Sequence, residues 1–449
     1  MDITTLIPQF GSLFTTILAF VVALSVIVAI HEYGHYIVGR WSGIKADVFS
    51  LGFGPVLFSK VDKYGTRWQF ALLPFGGYVK FMGDANAASA NTDKDAVQEM
   101  PPEMLRQTMH GAPLWARAAT VAAGPVFNFI LSIVVFAGLM MFQGKVADPL
   151  VVGEISPLPG EEYGLQAGDQ LVAIGGNLLP ETGQGGSLDD LIQSLPTDRN
   201  LPYTVQRDGR TLEVSGPYPM PPRAVNISPQ SAAYDIDMKQ GDVILSVDGQ
   251  PISAFSELKD IVETSNGRAL QLKVWRAGEV LDFALAPRRV DEPQPEGGFK
   301  TSWRIGISGG LAFEPATERL GFGAAVAGGF ERTGQVIETS LSGLYHLVAG
   351  KISSCNMTGP IGIAQVSGAM VRQGADSFIL FIAFLSTAVG LLNLFPIPVL
   401  DGGHLVFYAY EAVAGKPPSD AVLRVLMTVG LTLILALMAF AIGTDLLCP

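Results

Sequence analysis

Four long stretches without a charged residue dominate the hydropathy pattern of the chain: residues 13–30, 118–144, 377–400 and 425–444. A helix of about 20 residues spans the roughly 30 Å hydrocarbon layer of a bilayer. Each stretch is close to or above this length, so the pattern predicts four transmembrane helices. Four such stretches in one chain argue against the alternative, the buried helices of a large soluble protein.

Composition and charge agree with this prediction. Of the 449 residues, 49% are hydrophobic and only 16% charged, against about 25% charged in a typical soluble domain. The net charge of −12 argues against a nucleic-acid partner. Only two cysteines occur, Cys355 and Cys448, which excludes a scaffold built on disulfides.

The basic residues predict how the helices are oriented. Residues 1–39 contain no Lys or Arg, so the first stretch lacks the basic start of a signal peptide and is expected to be retained. Basic residues follow the first helix and occupy the connection before the fourth: Arg40, Lys45, Lys60, Lys63, Arg67, Lys416 and Arg424. Loops rich in Lys and Arg face the cytoplasm. The termini, residues 145–376 and both cysteines are then expected outside; a disulfide is permitted there, although we expect free thiols.

The long segment between the second and third helices contains an internal repeat. Residues 143–376 hold 18 Lys/Arg and 28 Asp/Glu. Within them Ile-Ser-Pro at 155–157 recurs at 227–229, and the Gly-Asp stretch at 168–176 recurs at 241–249. A third pair of strand-turn signals begins at Arg207 and Arg276. A period near 70 residues suits two tandem small domains rather than a solenoid.

Each copy has the pattern of a small α+β domain with one helix, predicted near residues 188–194 and 256–265. The pattern around the Gly-Asp turn resembles the PDZ domain, which binds peptides by adding them as a strand to its sheet edge. The alternative is a structural spacer whose groove stays empty. The sequence does not decide between these two interpretations.

An HExxH sequence, His31-Glu32-Tyr33-Gly34-His35, ends the first apolar stretch. On a helix, residues four apart lie on one face about 5–6 Å apart, which lets two imidazoles bind one zinc ion. Glu32 then lies beside the metal, where it can take a proton from water. Ionisable residues in a membrane helix are costly and mark functional sites. The alternative is a polar patch at headgroup level without a metal.

A zinc ion held by two histidines needs a third protein ligand and an open position. The best candidate is Asp401, within an N-x-x-P-x-P-x-L-D-G sequence at 393–402. The first helix reaches His31 after 18 uncharged residues and the third reaches Asp401 after 24, which predicts similar depths. The two prolines are expected to break the helix before Asp401. His404 is the alternative ligand, although a position beside the site is favoured for it.

These features together resemble the site-2 protease family, in particular its bacterial branch in the sigma-E response. The resemblance rests on HExxH in a first membrane helix, the Asp401 sequence in a third and tandem PDZ-like units between the second and third. Further matching stretches are Gly-Phe-Gly-Pro at 52–55, Pro-Phe-Gly-Gly-Tyr-Val-Lys at 74–80, residues 121–129 and residues 359–364. One departure is Ala388, which stands where the family often has an asparagine.

The resemblance implies an intramembrane zinc metalloendopeptidase in a bacterial inner membrane. Such enzymes cut single-pass substrates within the bilayer after another protease has trimmed them, typically anti-sigma factors of the envelope stress response and remnant signal peptides. The roles carried over are Zn²⁺ on His31, His35 and Asp401, with Glu32 as general base. Asn393 is expected to help hold an unwound peptide. Membrane lipid is an expected partner, and the PDZ-like units, on the periplasmic side with both termini, are possible peptide-binding modules.

A protease must also reach a backbone that a membrane helix hides in its own hydrogen bonds. Residues 56–61 and 66–72 flank the turn at 62–65 and predict a membrane-associated β-hairpin. We expect Gln69, Phe70 and Ala71 to form an edge strand that pairs with the unwound substrate. The alternative is an ordinary hairpin on the membrane surface.

The predicted fold class is therefore an α-helical membrane protein with four transmembrane helices, a β-hairpin segment and two PDZ-like α+β domains. The predicted segments begin with the first helix at 1–39, the hairpin loop at 40–114 and the second helix at 115–144. The PDZ-like domains follow at 145–220 and 221–290. A connector with possible surface helices at 291–375 leads to the third helix at 376–404 and the fourth at 421–446.

Two other classes of function fit parts of the pattern. One is a membrane-anchored PDZ scaffold or chaperone with an inactive metal site, which the intact His31, Glu32, His35 and Asp401 argue against. The other is a transporter, which four spans without a detectable inverted repeat argue against.

Overall fold

A computed structural model describes residues 6–84, 100–160, 163–180, 187–294 and 298–447. The chain divides into two units. The membrane unit comprises Met1–Leu139, Phe322–Tyr345 and Met357–Pro449, and the repeat unit comprises Met140–Gly321 and His346–Asn356.

The helices are α1 (Leu6–Trp41), α2 (Pro102–Leu105), α3 (Leu114–Gln143), α4 (Leu188–Ser194), α5 (Ala232–Asp235), α6 (Phe255–Thr264), α7 (Phe322–Val348), α8 (Pro360–Gln373), α9 (Ala375–Asn393), α10 (Asp401–Ala414) and α11 (Asp420–Leu447), with a 3₁₀ turn at Ser354–Asn356.

The strands are β1 (Ala46–Val61), β2 (Arg67–Phe81), β3 (Lys145–Val146), β4 (Val152–Ile155), β5 (Gln170–Ile174), β6 (Asn177–Leu178), β7 (Asn200–Arg207), β8 (Arg210–Pro217), β9 (Asn226–Ile227), β10 (Val243–Val247), β11 (Gln250–Pro251), β12 (Leu270–Arg276), β13 (Glu279–Leu285), β14 (Arg288–Pro293), β15 (Phe299–Arg304), β16 (Ile307–Ser308), β17 (Phe313–Pro315) and β18 (Thr317–Glu318).

Four helices are long and apolar enough to cross a bilayer: α1, α3, α9 and α11. The prediction of four helices of this length and apolar character is therefore confirmed. The third is shorter than predicted, because α9 ends at Asn393 and the chain is irregular up to Leu400. Asp401 begins the separate helix α10, so the break expected at the two prolines is present, and the predicted bounds 376–404 for the third helix end too late. The two prolines of the segment explain the break, since proline cannot continue the helical hydrogen-bond ladder.

Helices α1 and α3 approach closely where the HExxH sequence lies. A Cβ atom added at Gly34 would lie 2.5 Å from the carbonyl oxygen of Ala123, so only glycine permits this contact. Beside the crossing, Tyr36 and Val121 are buried in an apolar cluster with Phe49 of β1 and Val79 of β2. This cluster attaches the sheet to the two helices that carry the candidate site.

The predicted hairpin is present as the second half of β1, a turn and the first half of β2. Phe58 pairs with Phe70 and Val61 with Arg67. Asp62 holds the turn by accepting hydrogen bonds from the backbone N–H groups of Tyr64 and Thr66. Several of its apolar side chains are exposed, among them Leu57, Phe58, Phe70 and Leu72. A soluble protein rarely exposes such a patch, which suits a surface in contact with lipid.

The fourth helix, α11, contacts its own unit near its middle and near its end. Near its middle, Gly430 packs against Pro398 and Val399. Near its end, the Asp445 carboxylate accepts hydrogen bonds from three N–H groups at the start of α8, at Gly359, Ile361 and Gly362. A carboxylate at a helix N-terminus satisfies N–H groups that lack a partner within the helix.

The repeat unit contains two four-stranded sheets of the same order. In the first copy the strands run β6-β5-β7-β8, and in the second β11-β10-β12-β13. The predicted helices are present as α4, which matches residues 188–194, and as α6, one residue displaced from its prediction. The sequence repeat is therefore a structural repeat, and its relation to the PDZ domain stays a prediction.

The same ion pair closes both copies. Asp169 follows the first repeated glycine and forms a bidentate pair with Arg207, with N–O distances of 2.6 and 2.7 Å. Asp242 and Arg276 form the equivalent pair in the second copy, both at 2.7 Å. The Gly-Asp turn and the later arginine, which recur separately in the sequence, are thus two halves of one contact.

The predicted ends of the two repeat domains are too early. Strand β16 pairs with β9 of the second copy, and the following strand β17 pairs with β4 of the first. The second copy is therefore inserted within the first, and residues assigned to a connector after 290 complete both. The connector proper carries α7, in the region where a surface helix was predicted. Pairing of strands this short depends on tertiary contacts and leaves little periodicity in the sequence.

The expectation of free thiols is wrong for Cys355, which is disulfide-bonded. Cys448, the only other cysteine of the chain, lies outside the described residues.

Replacing Asp169 by Asn is expected to destabilise the first repeat copy by about 2–3 kcal/mol. The change places a neutral amide at the fully buried position of Asp169 and removes the charged partner of Arg207, whose side chain is 24% exposed. Amide hydrogen exchange over β5 and β7 in the intact chain measures the effect. The exposed neighbour Asp208, replaced by Asn, is the matched control. Equal protection in both variants would contradict a stabilising role for the pair.

The stability of this copy is also expected to fall at acid pH. Burial raises the pKa of Asp169, but hydrogen bonds from Arg207 and the Gln166 amide outweigh burial, so the pKa lies below its usual range. A lowered pKa stabilises the fold above the unfolded value, about 3.9 for Asp, and this contribution is lost as the pH falls through the folded value. Hydrogen exchange below about pH 4 should show this loss in the wild type but not in Asp169→Asn.

Candidate metal centre

The HExxH sequence lies within the continuous helix α1. The ring centroids of His31 and His35 are 4.7 Å apart, and their Nε2 atoms are 3.1 Å apart. Spacing of four residues on one helical turn produces this approach, as predicted. Both side chains are largely buried, with 12% of their surface exposed.

Asp401 meets the two histidines from another part of the chain. Its Oδ2 atom lies 3.1 Å from Nε2 of His31 and 3.6 Å from Nε2 of His35. Over the described residues, these three form the one group of His, Cys, Asp or Glu side chains close enough to share a metal ion, with ligand atoms within 4.8 Å of one another. His404, the alternative candidate, is not a member of this group.

Two glycines allow Asp401 to reach this position. A Cβ atom at Gly402 would lie 2.3 Å from the carbonyl oxygens of Leu394 and Phe395, and one at Gly403 would lie 2.3 Å from that of Ile397. The irregular segment after α9 thus folds directly onto the first turn of α10. This close approach explains the two glycines that follow Asp401 in the sequence.

Helix α3 determines how the imidazoles are turned. Nδ1 of His35 lies 2.8 Å from the carbonyl oxygen of Thr120, which can only accept, so Nδ1 carries the proton and Nε2 keeps its lone pair. Nδ1 of His31 lies 3.2 Å from the side-chain amide of Asn128. Such outer partners of metal-binding histidines set the tautomer and the ring orientation. Neither Thr120 nor Asn128 was predicted as a site residue; the signal for Asn128 was an amide in an apolar span.

The arrangement is incomplete without a cation. Within the described residues, Oδ2 of Asp401 and Oδ1 of Asn128 are buried and lack a hydrogen-bond partner. Rotation of the Asn128 amide by 180° lets Oδ1 accept the proton on Nδ1 of His31, and Nε2 of His31 then also presents a lone pair. Two imidazole lone pairs and a carboxylate oxygen converging in a buried site repel one another. A divalent cation removes this repulsion, and two histidines with one carboxylate form a common catalytic zinc site.

Glu32 lies beside this group without being part of it. Its carboxylate accepts a hydrogen bond from the backbone N–H of Val79 and interacts electrostatically with His35 and Asp401. Gly77, on the same strand, would place an added Cβ 3.3 Å from Cγ of Glu32. The last part of β2 therefore passes directly along the proposed catalytic carboxylate.

The structure contradicts the interpretation of Gln69 and Phe70 as a free edge. Gln69 pairs with both Ser50 and Ser59, and Phe70 pairs with both Leu51 and Phe58, so this stretch has neighbours on both sides. Gln69 is buried and donates to the Ser50 hydroxyl and to Tyr78. The alternating pattern was correct for a strand, but an inner strand can have the same alternating pattern as an edge strand.

In the described register, residues 56–61 and 77–81 each pair on one side only. These two stretches are the edges of the sheet, and 77–81 is the one beside Glu32. Ala71 pairs with Val56 alone but is itself buried. Asn393, the remaining predicted substrate contact, is the half-buried last residue of α9 and does not belong to the metal-ligand group.

Comparison with known proteins was consistent across the chain. The model of "Peptidase family M50" matches residues 19–437. A protein of Agrobacterium fabrum named "Putative zinc metalloprotease" is 34% identical, over 98% of both chains. One of the same description from Rhizobium meliloti is 35% identical over 96% of both. The "Regulator of sigma E protease" of Haemophilus influenzae is 31% identical over 96% of this chain and 98% of its own.

Replacing Gly124 by Ala is expected to weaken zinc binding at least about tenfold. The added Cβ would lie 2.4 Å from Nε2 of His35 and 2.8 Å from Cε1 of His31, so both imidazoles must move. Alanine is the better helix former, so α3 itself should not suffer. Gly138→Ala, where a Cβ meets nothing within 4 Å, is the control. The zinc dissociation constant, measured by competition with a chelator, tests this prediction, and equal affinity in both variants would contradict the proposed ligand geometry.

Proposed function

The chain belongs to peptidase family M50, and on this premise we propose that it is a zinc-dependent intramembrane endopeptidase. The observation that carries the proposal is the convergence of His31, His35 and Asp401 next to Glu32. His31, Glu32 and His35 lie on α1, a helix long and apolar enough to cross a bilayer. A scaffold or chaperone would have no use for this buried group of costly polar side chains.

The cofactor is Zn²⁺, the metal in the names of the relatives. We assign His31, His35 and Asp401 as its ligands. When bound, the ion polarises a peptide carbonyl and makes a nearby water more acidic. Thr120 and Asn128 hold the imidazoles with Nε2 toward the metal. Glu32 takes the proton from the attacking water and later delivers it to the leaving amine, as a general base and then a general acid.

We propose single-pass membrane proteins as substrates, on the model of the sigma-E regulator relative. Anti-sigma factors and remnant signal peptides, trimmed first by another protease, are the expected classes. A helical substrate must unwind before its carbonyl can reach the metal, and its freed N–H and C=O groups then need partners. The edge at residues 77–81 offers such partners beside Glu32 and replaces residues 69–71 in this role.

The proposed location is the bacterial inner membrane, with the membrane-associated hairpin on the cytoplasmic side. The asymmetric Lys and Arg distribution supports a periplasmic position for both termini and the repeat unit. The two repeat copies are proposed PDZ-like modules, with peptides or proteins as possible ligands. The exposed apolar side chains of the hairpin support lipid as a further partner.

Glu32→Gln is expected to abolish cleavage of a membrane peptide while zinc content stays normal, because Glu32 is not a ligand. Asp401→Ala should lose both. Glu338→Gln, an exposed glutamate on α7, is the matched control and should retain both. Metal analysis and a cleavage assay in detergent or liposomes measure these outcomes. Normal zinc content in Asp401→Ala would exclude the ligand set, and cleavage by Glu32→Gln would exclude the proposed general base.

The edge-strand proposal predicts where substrate can be cross-linked. A photoreactive amino acid replaces Tyr78, on the edge beside Glu32, or Phe58, on the opposite edge, in the inactive Glu32→Gln protein. We expect a cross-link to a membrane substrate from position 78 and little from position 58. A cross-link from position 58 alone would assign the substrate to the other edge.

A further inference from the structure

An ion pair outside the metal-ligand group joins α3 to α10. Nη2 of Arg117 lies 2.6 Å from Oε1 of Glu411, and Nη1 lies 3.1 Å from Oε2. The two side chains are only 15% and 18% exposed. Parallel N–H···O bonds of this kind are strongly directional, because the planar guanidinium matches the carboxylate in one geometry.

The same arginine also contacts the turn of α10 that precedes Glu411. Its Cζ lies 5.2 Å from the ring centroid of Tyr408, a cation–π distance. Tyr408 and Leu405 pack on the apolar cluster that includes Ala116, the neighbour of Arg117. Helix α10 is therefore held against the start of α3 by one apolar contact and one oriented ion pair.

Helix α3 is the common support of the metal-ligand group. Thr120 orients His35 and Asn128 orients His31. Along α3 these two residues follow Arg117 by about one turn and about three turns. Asp401 is the one member of the group without such a direct contact in the described hydrogen bonds. It follows an irregular segment, so its position depends on where α10 lies. Glu411 is ten residues further on, about 15 Å along the helix.

We propose that Arg117 and Glu411 are positioning residues that set the distance of Asp401 from the two histidines and thereby the zinc affinity. Buried ion pairs contribute little net stability compared with apolar packing, so stability alone is a weak reason for this pair. The directional geometry of the Arg117–Glu411 pair, on the helix that begins with the proposed ligand Asp401, gives a reason for burying both charges. The proposal rests on the metal site described under the proposed function.

The experiment measures the zinc dissociation constant of the purified full chain by competition with a chelator. The variants are Arg117→Lys, which keeps the charge and loses the fork, Glu411→Gln, and the exchanged pair Arg117→Glu with Glu411→Arg. Arg424→Lys, at the exposed start of α11, is the matched control. The melting temperature of the metal-free proteins is recorded in parallel, because a merely structural pair would change that quantity alone.

We expect each single variant to bind zinc about 10–100-fold more weakly than the wild type, as for other residues that orient metal ligands. The exchanged pair should recover most of this loss, and the control should lose nothing. Wild-type zinc affinity in both Arg117→Lys and Glu411→Gln would overturn the proposal, whatever the melting temperatures of these variants. The two single variants decide the proposal even if the exchanged pair does not fold. A wild-type chain that binds no zinc would instead overturn the proposed function.

Discussion

The metal-ligand group depends on one constraint: α3 occupies the outer nitrogen of each imidazole, so that the inner nitrogens face Asp401. In a bilayer no water is available to satisfy a histidine that turns away. The carbonyl oxygen of Thr120 and the amide of Asn128 supply those partners from within the protein. Gly34 and Gly124 make this possible, since a side chain at either position would separate α1 from α3 or displace the rings.

The sheet beside the site follows from the same close packing. Gly77 lets β2 pass against Glu32, and the Val79 N–H binds the Glu32 carboxylate. One edge of the sheet is thereby fixed next to Glu32. The other edge carries exposed apolar residues such as Leu57 and Phe58. A single small sheet thus combines a surface suited to lipid with a strand edge suited to an unwound peptide.

In the repeat unit, both small domains are completed by strands from the end of the unit. Each copy has a sheet of four strands and an internal Asp–Arg pair. Each also has one further strand, β4 in the first copy and β9 in the second, whose partner lies after β13 in the chain. Strands β16 and β17 follow one another and pair with β9 and β4 in turn. The first copy cannot be complete until the chain has passed through the second, which makes the two a single nested unit.

Local patterns in the sequence determined the four apolar spans, the repeat, the hairpin turn and the His31–His35 pair, because each depends on residues near one another in the chain. Asp401 was also identified, since a charged residue at the end of an apolar stretch, and the number of residues that precede it, can be read directly from the sequence. Only the tertiary structure decided that a separate helix begins at Asp401, that Gln69 and Phe70 lie in an inner strand, and that Thr120, Asn128, Arg117 and Glu411 surround the site. These features depend on which segments, distant in the chain, pack together. The periodicity of a strand or helix shows which residues are buried but does not identify the segment that buries them.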